Sequence, residues 1–283
     1  MTSLLIIAHE EQEKLSLHLP ALLSQEGAEY EVVVVDMNSE DDTLELLKSL
    51  KKQYPHLQYL SLPLSARDIS RGLLALHLGM RAAIYGHVLV LSANMDIPGP
   101  HWLADIEGRW RPDCDIMLVP AKRARSKRFG DYFTAGHEAW HNRLLLRQAV
   151  GFGLFRAGNA IVGLSKEMFL TYKFPARHLA LKTGTLDIFI SRAANRYNTI
   201  FLMDKELYPT EDAVDNSNFW RQKRLFDVET RHHLVGRARR HLSYLIHCIA
   251  TIHRGAIPYL IMDLWDCMRW RLTRKKTFIK KHY

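Results

Sequence analysis

Short unbroken apolar runs and helix-spaced apolar stripes take turns along the first part of the chain. Residues 4–8 (LLIIA) are too few for a helix and rich in branched side chains, as expected of a strand buried on both faces. In EQEKLSLHLPALLSQ, Leu15, Leu19, Leu22 and Leu23 recur on one helical face, with a break or kink expected near Pro20, which has no amide hydrogen to donate. Residues 31–36 (EVVVVD) are the clearest strand in the chain. The segment NSEDDTLELLKSLKKQY then reads as a helix with acids in its first turn and lysines in its last, the arrangement the helix dipole favours. A strand over 57–62, a helix from about 68 to 85 and a strand over 87–92 (HVLVLS) complete a β-α-β-α-β-α-β series. Its links are short, which predicts a mostly parallel sheet covered by helices on both faces.

Sheets of this kind bind ligands beyond the carboxyl ends of their strands, where the strand order reverses. That directs attention to residues 9–11, 36–39 and 94–96, all polar and two of the three sets acidic. Residues 111–160 read as irregular, with the basic run AKRARSKR and the glycine-rich GFGLFRAGNAIVG. Helical spacing returns at 166–172 and 187–194, followed by a short strand at 199–203. No internal repeat or low-complexity segment is present.

Composition narrows the class. With 283 residues, 47% hydrophobic and 24% charged, the chain can bury a sizeable core and is neither disordered nor fibrous. Its three cysteines, Cys114, Cys248 and Cys267, are far apart, which excludes a disulfide framework or a cysteine zinc site and suits a reducing compartment. The N-terminus has no basic stretch and meets acidic residues after a short apolar run, so a signal peptide is not expected. The net charge of +9 is unevenly spread: residues 1–120 carry 9 Lys and Arg against 17 Asp and Glu, whereas residues 121–283 carry 30 against 13. A remainder this basic seeks phosphate, whether in a nucleotide diphosphate, an anionic lipid or a nucleic acid. No nucleic-acid-binding motif is present and the acidic first part would repel a polyanion, so no nucleic-acid partner is expected.

Residues 218–283 differ from what precedes them. Two apolar stretches, 242–253 and 256–262, are separated by Arg254 and Gly255 and flanked by Lys and Arg. Neither reaches the roughly 20 residues that span a bilayer. An amphipathic helical pair against an anionic membrane surface is one reading, and salt-sensitive co-sedimentation with anionic vesicles would report it; a helix packed on the domain with a solvated basic end is the other.

The order IIAHEEQEKL, VVVVDMNSEDDT, RDISRGLLALHLGMRAA and LVLSANMDIPGPHWL resembles the family 2 glycosyltransferases of GT-A fold. The likeness continues through GNAIVGLSKEMF, similar to the family's G-x-N segment, and GTLDIFI, similar to its late acidic catalytic motif. It implies a GT-A domain over residues 1–217, and the charge and apolar pattern adds a basic, amphipathic helical extension over 218–283. It also implies an inverting enzyme that moves a sugar from a nucleoside diphosphate, UDP by preference, to a glycan or lipid-linked acceptor at the inner face of the cytoplasmic membrane.

Carried over by position, His9 replaces the family's aromatic residue, Glu11 its first-turn acid and Asp36 its uracil-contacting acid. Arg71, or else Arg67, takes the place of the basic residue that approaches the nucleotide, and Asp187 that of the general base. For Asp36 and Asp187 taken alone, a turn or helix-capping role is an open alternative. The family's DxD becomes Asn94-Met95-Asp96. Asp96 can coordinate Mn²⁺ or Mg²⁺, but counting back from Pro98 and Trp102 sets Met95 at the usual ligand position, and a thioether is no ligand for a hard cation. Either the turn shifts by one residue, or the metal is weakly held or replaced by basic side chains. Asn94 is grouped with the nucleotide-binding residues. Arg128 in the basic run, Asn159, and Trp220 with Arg224 in FWRQKR are candidates for gripping the diphosphate or the acceptor. A catalytically inactive GT-A protein that only binds a nucleotide or glycan is the alternative.

Overall fold

The structure, a computed structural model, describes residues 1–62, 70–124, 145–146, 149–151, 153, 155–157, 160–175 and 185–212. Its strands are β1 (Thr2–Ala8), β2 (Tyr30–Asp36), β3 (Leu57–Ser61), β4 (His87–Leu91), β5 (Met95–Asp96), β6 (Ile116–Pro120), β7 (Lys122–Arg123), β8 (Ala160–Ser165), β9 (Thr199–Phe201) and β10 (Thr210–Glu211). Seven of them make one sheet in the order β3-β2-β1-β4-β8-β6-β9, and the other three a small sheet in the order β5-β10-β7. Every pairing in the large sheet is parallel except the two made by β8. The chain steps outward from β1 through β2 to β3, then returns to place β4 on the other side of β1, so the order reverses between β1 and β4.

Among the described residues six helices cover the sheet: α1 (Gln12–Leu23), α2 (Thr43–Gln53), α3 (Arg71–Ala82), α4 (Trp102–Glu107), α5 (Lys166–Thr171) and α6 (Thr185–Ala193). The pleat divides the core in two. Leu4, Ile6, Val32, Val34 and Leu89 point to one face and pack with Leu15, Leu19 and Leu22 of α1, Leu47 of α2 and Trp102 of α4. Leu5, Val33, Val35, Val88 and Val162 point to the other and pack with Leu73 and Leu76 of α3, Phe169 of α5 and Phe189 of α6. Burying each such side chain contributes roughly 1.5–3 kcal/mol relative to exposure, which is why strands covered on both faces read as unbroken apolar runs. Two glycines permit the closest approaches. A Cβ at Gly79 would stand 2.3 Å from Leu5 Cδ1, and one at Gly163 2.5 Å from Trp110 Cη2.

At the amino edge of the sheet a buried acid serves structure alone. Glu31 accepts hydrogen bonds from Ser3 Oγ (2.6 Å), the Ile84 amide (2.5 Å) and Gln58 Nε2 (2.9 Å), joining β1, β2, β3 and the turn after α3. Its carboxylate is satisfied from three directions, as burial of a charge requires.

The structure departs from the sequence reading at several places. α1 runs through Pro20 without a break, held by buried Leu19 and Leu22 on either side of it. The region read as irregular contains β6, buried along its whole length, and β8 begins within the glycine-rich stretch. Lys122 and Arg123, read as part of a basic loop, form β7. The helix expected over 68–85 is described from Arg71 to Ala82. No helix among the described residues is long and apolar enough to cross a membrane. The extension over 218–283, and with it the boundary expected at 217, lies outside the described residues.

Candidate active site

Strand register sets the site's first wall. Ala8 of β1 pairs with Asp36 of β2, and Ile6 of β1 with Leu91 of β4, so His9, residues 37–39 and residues 92–96 leave the sheet at the same carboxyl edge. Asp36 is only 1% exposed. Its Oδ1 accepts from the Ser39 hydroxyl (2.5 Å) and amide (3.1 Å), while Oδ2 has longer contacts, 3.3 Å to the Ser39 amide and 3.5 Å to Ser61 Oγ. Ser39 Oγ in turn accepts from the Glu10 amide at 2.9 Å, tying the loop after β1 to the loop after β2. Each loop contains a non-glycine residue at positive φ, Glu10 at 55° and Asn38 at 60°, an uncommon conformation that the surrounding bonds must sustain.

His9 is exposed beside these loops. Glu11 stands at the N-cap of α1 without capping it and pairs instead with Lys14 at 2.9 Å. Arg71 opens α3, where Ser70 Oγ accepts from the Leu73 amide, and Arg71 Nη2 donates to the Met37 carbonyl at 2.5 Å. The basic residue and the helix N-terminus therefore meet the loop after β2, an arrangement favourable to an anion.

Asp41 holds that loop to α1. Its carboxylate accepts from the Gln12 amide (3.1 Å) and the Thr43 amide (3.1 Å). Desolvation pushes its pKa up, but the hydrogen bonds from the Gln12 and Thr43 amides outweigh it and leave the carboxyl below its ordinary value of 3.8. A folded-state pKa below the unfolded one adds stability above the unfolded value, and that stability is lost as pH falls through the folded value. Urea midpoints are therefore expected to be lower for Asp41→Asn than for the parent at neutral pH, with the gap closing below about pH 4. A gap that stays constant into strong acid would refute this account.

Beyond β4, the segment Asn94-Met95-Asp96 enters the small sheet. Met95 pairs with Glu211 and Asp96 with Thr210, so adjacent side chains face opposite ways: Met95 is buried in the core and Asp96 is exposed. Asn94 is buried; its carbonyl accepts from the Asp212 amide at 3.1 Å and its Nδ2 donates to Glu211 Oε1 at 3.4 Å. Arg123 binds the same segment, Nη2 to Glu211 Oε2 (2.9 Å) and Nη1 to the Asp212 carbonyl (3.2 Å). Asp212 Oδ2 pairs with buried His18 Nε2 on α1 at 2.8 Å. Among the described residues no group of three His, Cys, Asp or Glu side chains could hold a metal by itself. The exposed carboxylate of Asp96 suits Mg²⁺ or Mn²⁺ as a single oxygen donor, the other positions falling to phosphate and water. The register thus presents Asp96, not Met95.

The opposite wall comes from later in the chain. β8 is antiparallel to β4, so it begins at the carboxyl edge, with Ala160 beside Pro120 at the end of β6. Arg156, just ahead of β8, is therefore at that edge. α6 leads down to β9, which starts level with the first residue of β6, so the first turn of α6 with Asp187 lies toward the carboxyl edge as well. Arg156 Nε stands 3.5 Å from Asp187 Oδ1, and Asp187 is 8% exposed. Phe189 on α6 packs against Phe169 at 5.3 Å between ring centroids, and Phe169 against His77 of α3 at 4.9 Å, seating α6 beside the helix that carries Arg71.

His9, Glu11, Asp36, Arg71, Asn94, Asp96 and Asp187 thus all belong to one edge of the sheet. Arg67, Arg128, Asn159, Trp220 and Arg224 lie outside the described residues. Sequence reasoning included Ser39 within residues 36–39 but missed Arg156, Glu211, Asp212 and His18. Only the four-residue pattern D-x-x-S over 36–39 carries a local signal, that of an Asx turn.

Residues 3–76 match the family model Glycosyl transferase family 2. No curated protein matches the chain in sequence. Among solved structures, residues 1–349 of S. aureus TarS in complex with UDP are similar at 18% identity and a TM-score of 0.54, with 90% of this chain and 73% of that one covered. A mannosyltransferase, PcManGT from Pyrobaculum calidifontis in complex with GDP-Man and Mn²⁺, is similar at 17% identity and 0.56, covering 94% and 69%. Glucosyl-3-phosphoglycerate synthase from Mycobacterium tuberculosis, with Mn²⁺, UDP and glucosyl-3-phosphoglycerate, is similar at 14% identity and 0.52, covering 83% and 80%. Against the longer TarS chain, this chain spans 41% of the length. The match to glycosyl transferase family 2 covers residues 3–76, and the described residues take the GT-A fold of these solved structures.

Proposed function

We propose that the protein is an inverting glycosyltransferase, drawing a sugar from a nucleoside diphosphate, UDP by preference, and passing it to a glycan or lipid-linked hydroxyl. The observation that carries this reading is the meeting, at one sheet edge, of the Asp36 loop, Arg71 and Asp96 with the Asp187–Arg156 pair on the later elements. The base lies against the loops after β1 and β2. Asp36 Oδ2, the oxygen with the longer contacts, is the one left to accept from a uracil N–H, and because Asp36 is buried the loop over 37–39 must yield for the base to reach it.

Asp187 takes the proton of the acceptor hydroxyl as that oxygen forms its bond to the anomeric carbon. The bond from that carbon to the diphosphate breaks on the far side, its electrons leave with the nucleoside diphosphate, and the configuration inverts. Arg156 orients the Asp187 carboxylate. Asp96 would hold Mn²⁺ or Mg²⁺, which when bound stabilises the charge growing on the leaving diphosphate. The two neighbours solved with Mn²⁺ and a nucleotide or nucleotide sugar support a cation here. The basic extension over 218–283 is assigned, on charge, to an anionic membrane surface at the cytoplasmic face.

Thermal melting with a ligand panel tests the reading. UDP with Mn²⁺, at about a hundred times its dissociation constant, is expected to raise the melting temperature by about 5–10 °C, GDP by less and single-stranded oligonucleotides not at all. Stabilisation by the oligonucleotides and by neither nucleotide would reject it.

A further inference from the structure

We propose that the partly buried Arg123–Glu211 pair is a positioning device for residues 94–96, and that this pair decides which residue of Asn94-Met95-Asp96 meets the cation. The inference rests on the role given to Asp96 above. β5 is two residues long and pairs with β10 at two positions only. A strand that short holds its register weakly, and a slip of one residue turns every side chain to the other face. After such a slip Met95 would face outward and Asp96 would enter the core, exchanging an oxygen donor for a thioether that no hard cation accepts.

Bonds outside the two-residue ladder prevent the slip, and all converge on β10. The Asp212 amide holds the Asn94 carbonyl, Glu211 Oε1 accepts from the Asn94 amide group, and both contacts act one residue before the strand begins. Arg123 holds Glu211 and the Asp212 carbonyl with two different nitrogens, fixing a side chain of β10 and the backbone just after it together. Its side chain is 7% exposed and that of Glu211 15%, so the ion pair is largely, though not wholly, screened from water and constrains more than a surface pair does. From the other side His18 on α1 pairs with Asp212. Arg123 and Glu211 come from strands 88 positions apart in sequence, so nothing local to residues 94–96 encodes this clamp.

The test measures Mn²⁺ affinity in the presence of saturating UDP, UDP affinity without metal, and melting temperature. Three variants are compared with the parent full-length chain: Arg123→Met with Glu211→Leu, Asn94→Ala, and Asp96→Asn. An apolar pair of similar volume can replace a buried ion pair without loss of stability. The double variant is therefore expected to melt near the parent yet bind Mn²⁺ about tenfold or more weakly, with metal-free UDP affinity unchanged. Asn94→Ala removes the clamped amide and is expected to weaken Mn²⁺ binding in the same direction, which keeps the proposal testable if the double variant does not fold. Asp96→Asn is expected to abolish UDP-dependent Mn²⁺ binding. Parental Mn²⁺ affinity in a folded double variant, or in Asn94→Ala, overturns the positioning role while Asp96 keeps its own. Parental Mn²⁺ affinity in Asp96→Asn instead overturns the role given to Asp96.

Discussion

Asp187→Asn is expected to lower kcat by about three orders of magnitude, the upper part of the range for losing a general base, while donor affinity stays within about twofold of the parent. The amide keeps the shape of the carboxylate but cannot take a proton, so the acceptor hydroxyl must attack unaided. A thousandfold loss corresponds to about 4 kcal/mol in the barrier. The donor's diphosphate and base are assigned to Arg71, Asp96 and the Asp36 loop, which is why binding of UDP-sugar should survive. Steady-state kinetics paired with calorimetric titration of the donor separates the two quantities. Unchanged turnover would remove Asp187 from the chemistry, and loss of donor binding together with turnover would make it a binding residue.

The largest effect on stability is expected at Trp102→Ala, at about 3–5 kcal/mol. Trp102 is 2% exposed and belongs to the core layer beneath α1 and α2, and its Nε1 donates to the Leu207 carbonyl at 2.9 Å. It therefore fastens α4, immediately after the Asn94–Asp96 segment, to the chain entering β10. Truncation removes a large apolar side chain, leaves a cavity and strands a buried carbonyl, and should lower the melting temperature by roughly 10 °C. Trp102→Phe, which retains most of the apolar volume but not the donor, should cost about 1–2 kcal/mol. Chemical denaturation of the three proteins measures both. A Trp102→Ala variant within about 1 kcal/mol of the parent would show that this layer repacks freely, against the close packing of protein interiors.

Legibility followed the physics of each element. The strands β1, β2 and β4 could be read because both faces are covered, so their central positions form unbroken apolar runs. α2 could be read because one face is apolar and its last turn ends in Lys51 and Lys52. β8 could not, because its place between β4 and β6 requires a glycine, Gly163, where Trp110 lies against the backbone. A glycine without its tertiary neighbour reads as a strand breaker. α1 was expected to falter at Pro20, and only the packing of its leucines carries it through.

The same division runs through the site. Asp36 and Asp96 were candidates by position, yet a lone acid at a strand end is equally a turn former, and Asp36 indeed binds its own turn through Ser39. Arg123 looked like one charge in a basic run, whereas the fold buries it against Glu211. What the amino-acid sequence determined alone was the parallel half of the sheet and the edge where polar residues gather, because covered strands and helix dipoles leave their mark in local pattern. Tertiary structure decided the surroundings of those residues: Asp36 binds Ser39, Asn94 beside Asp96 is held by Glu211 and Asp212, and Asp187 pairs with Arg156, and most of these contacts join positions distant in the chain, where local periodicity carries no information.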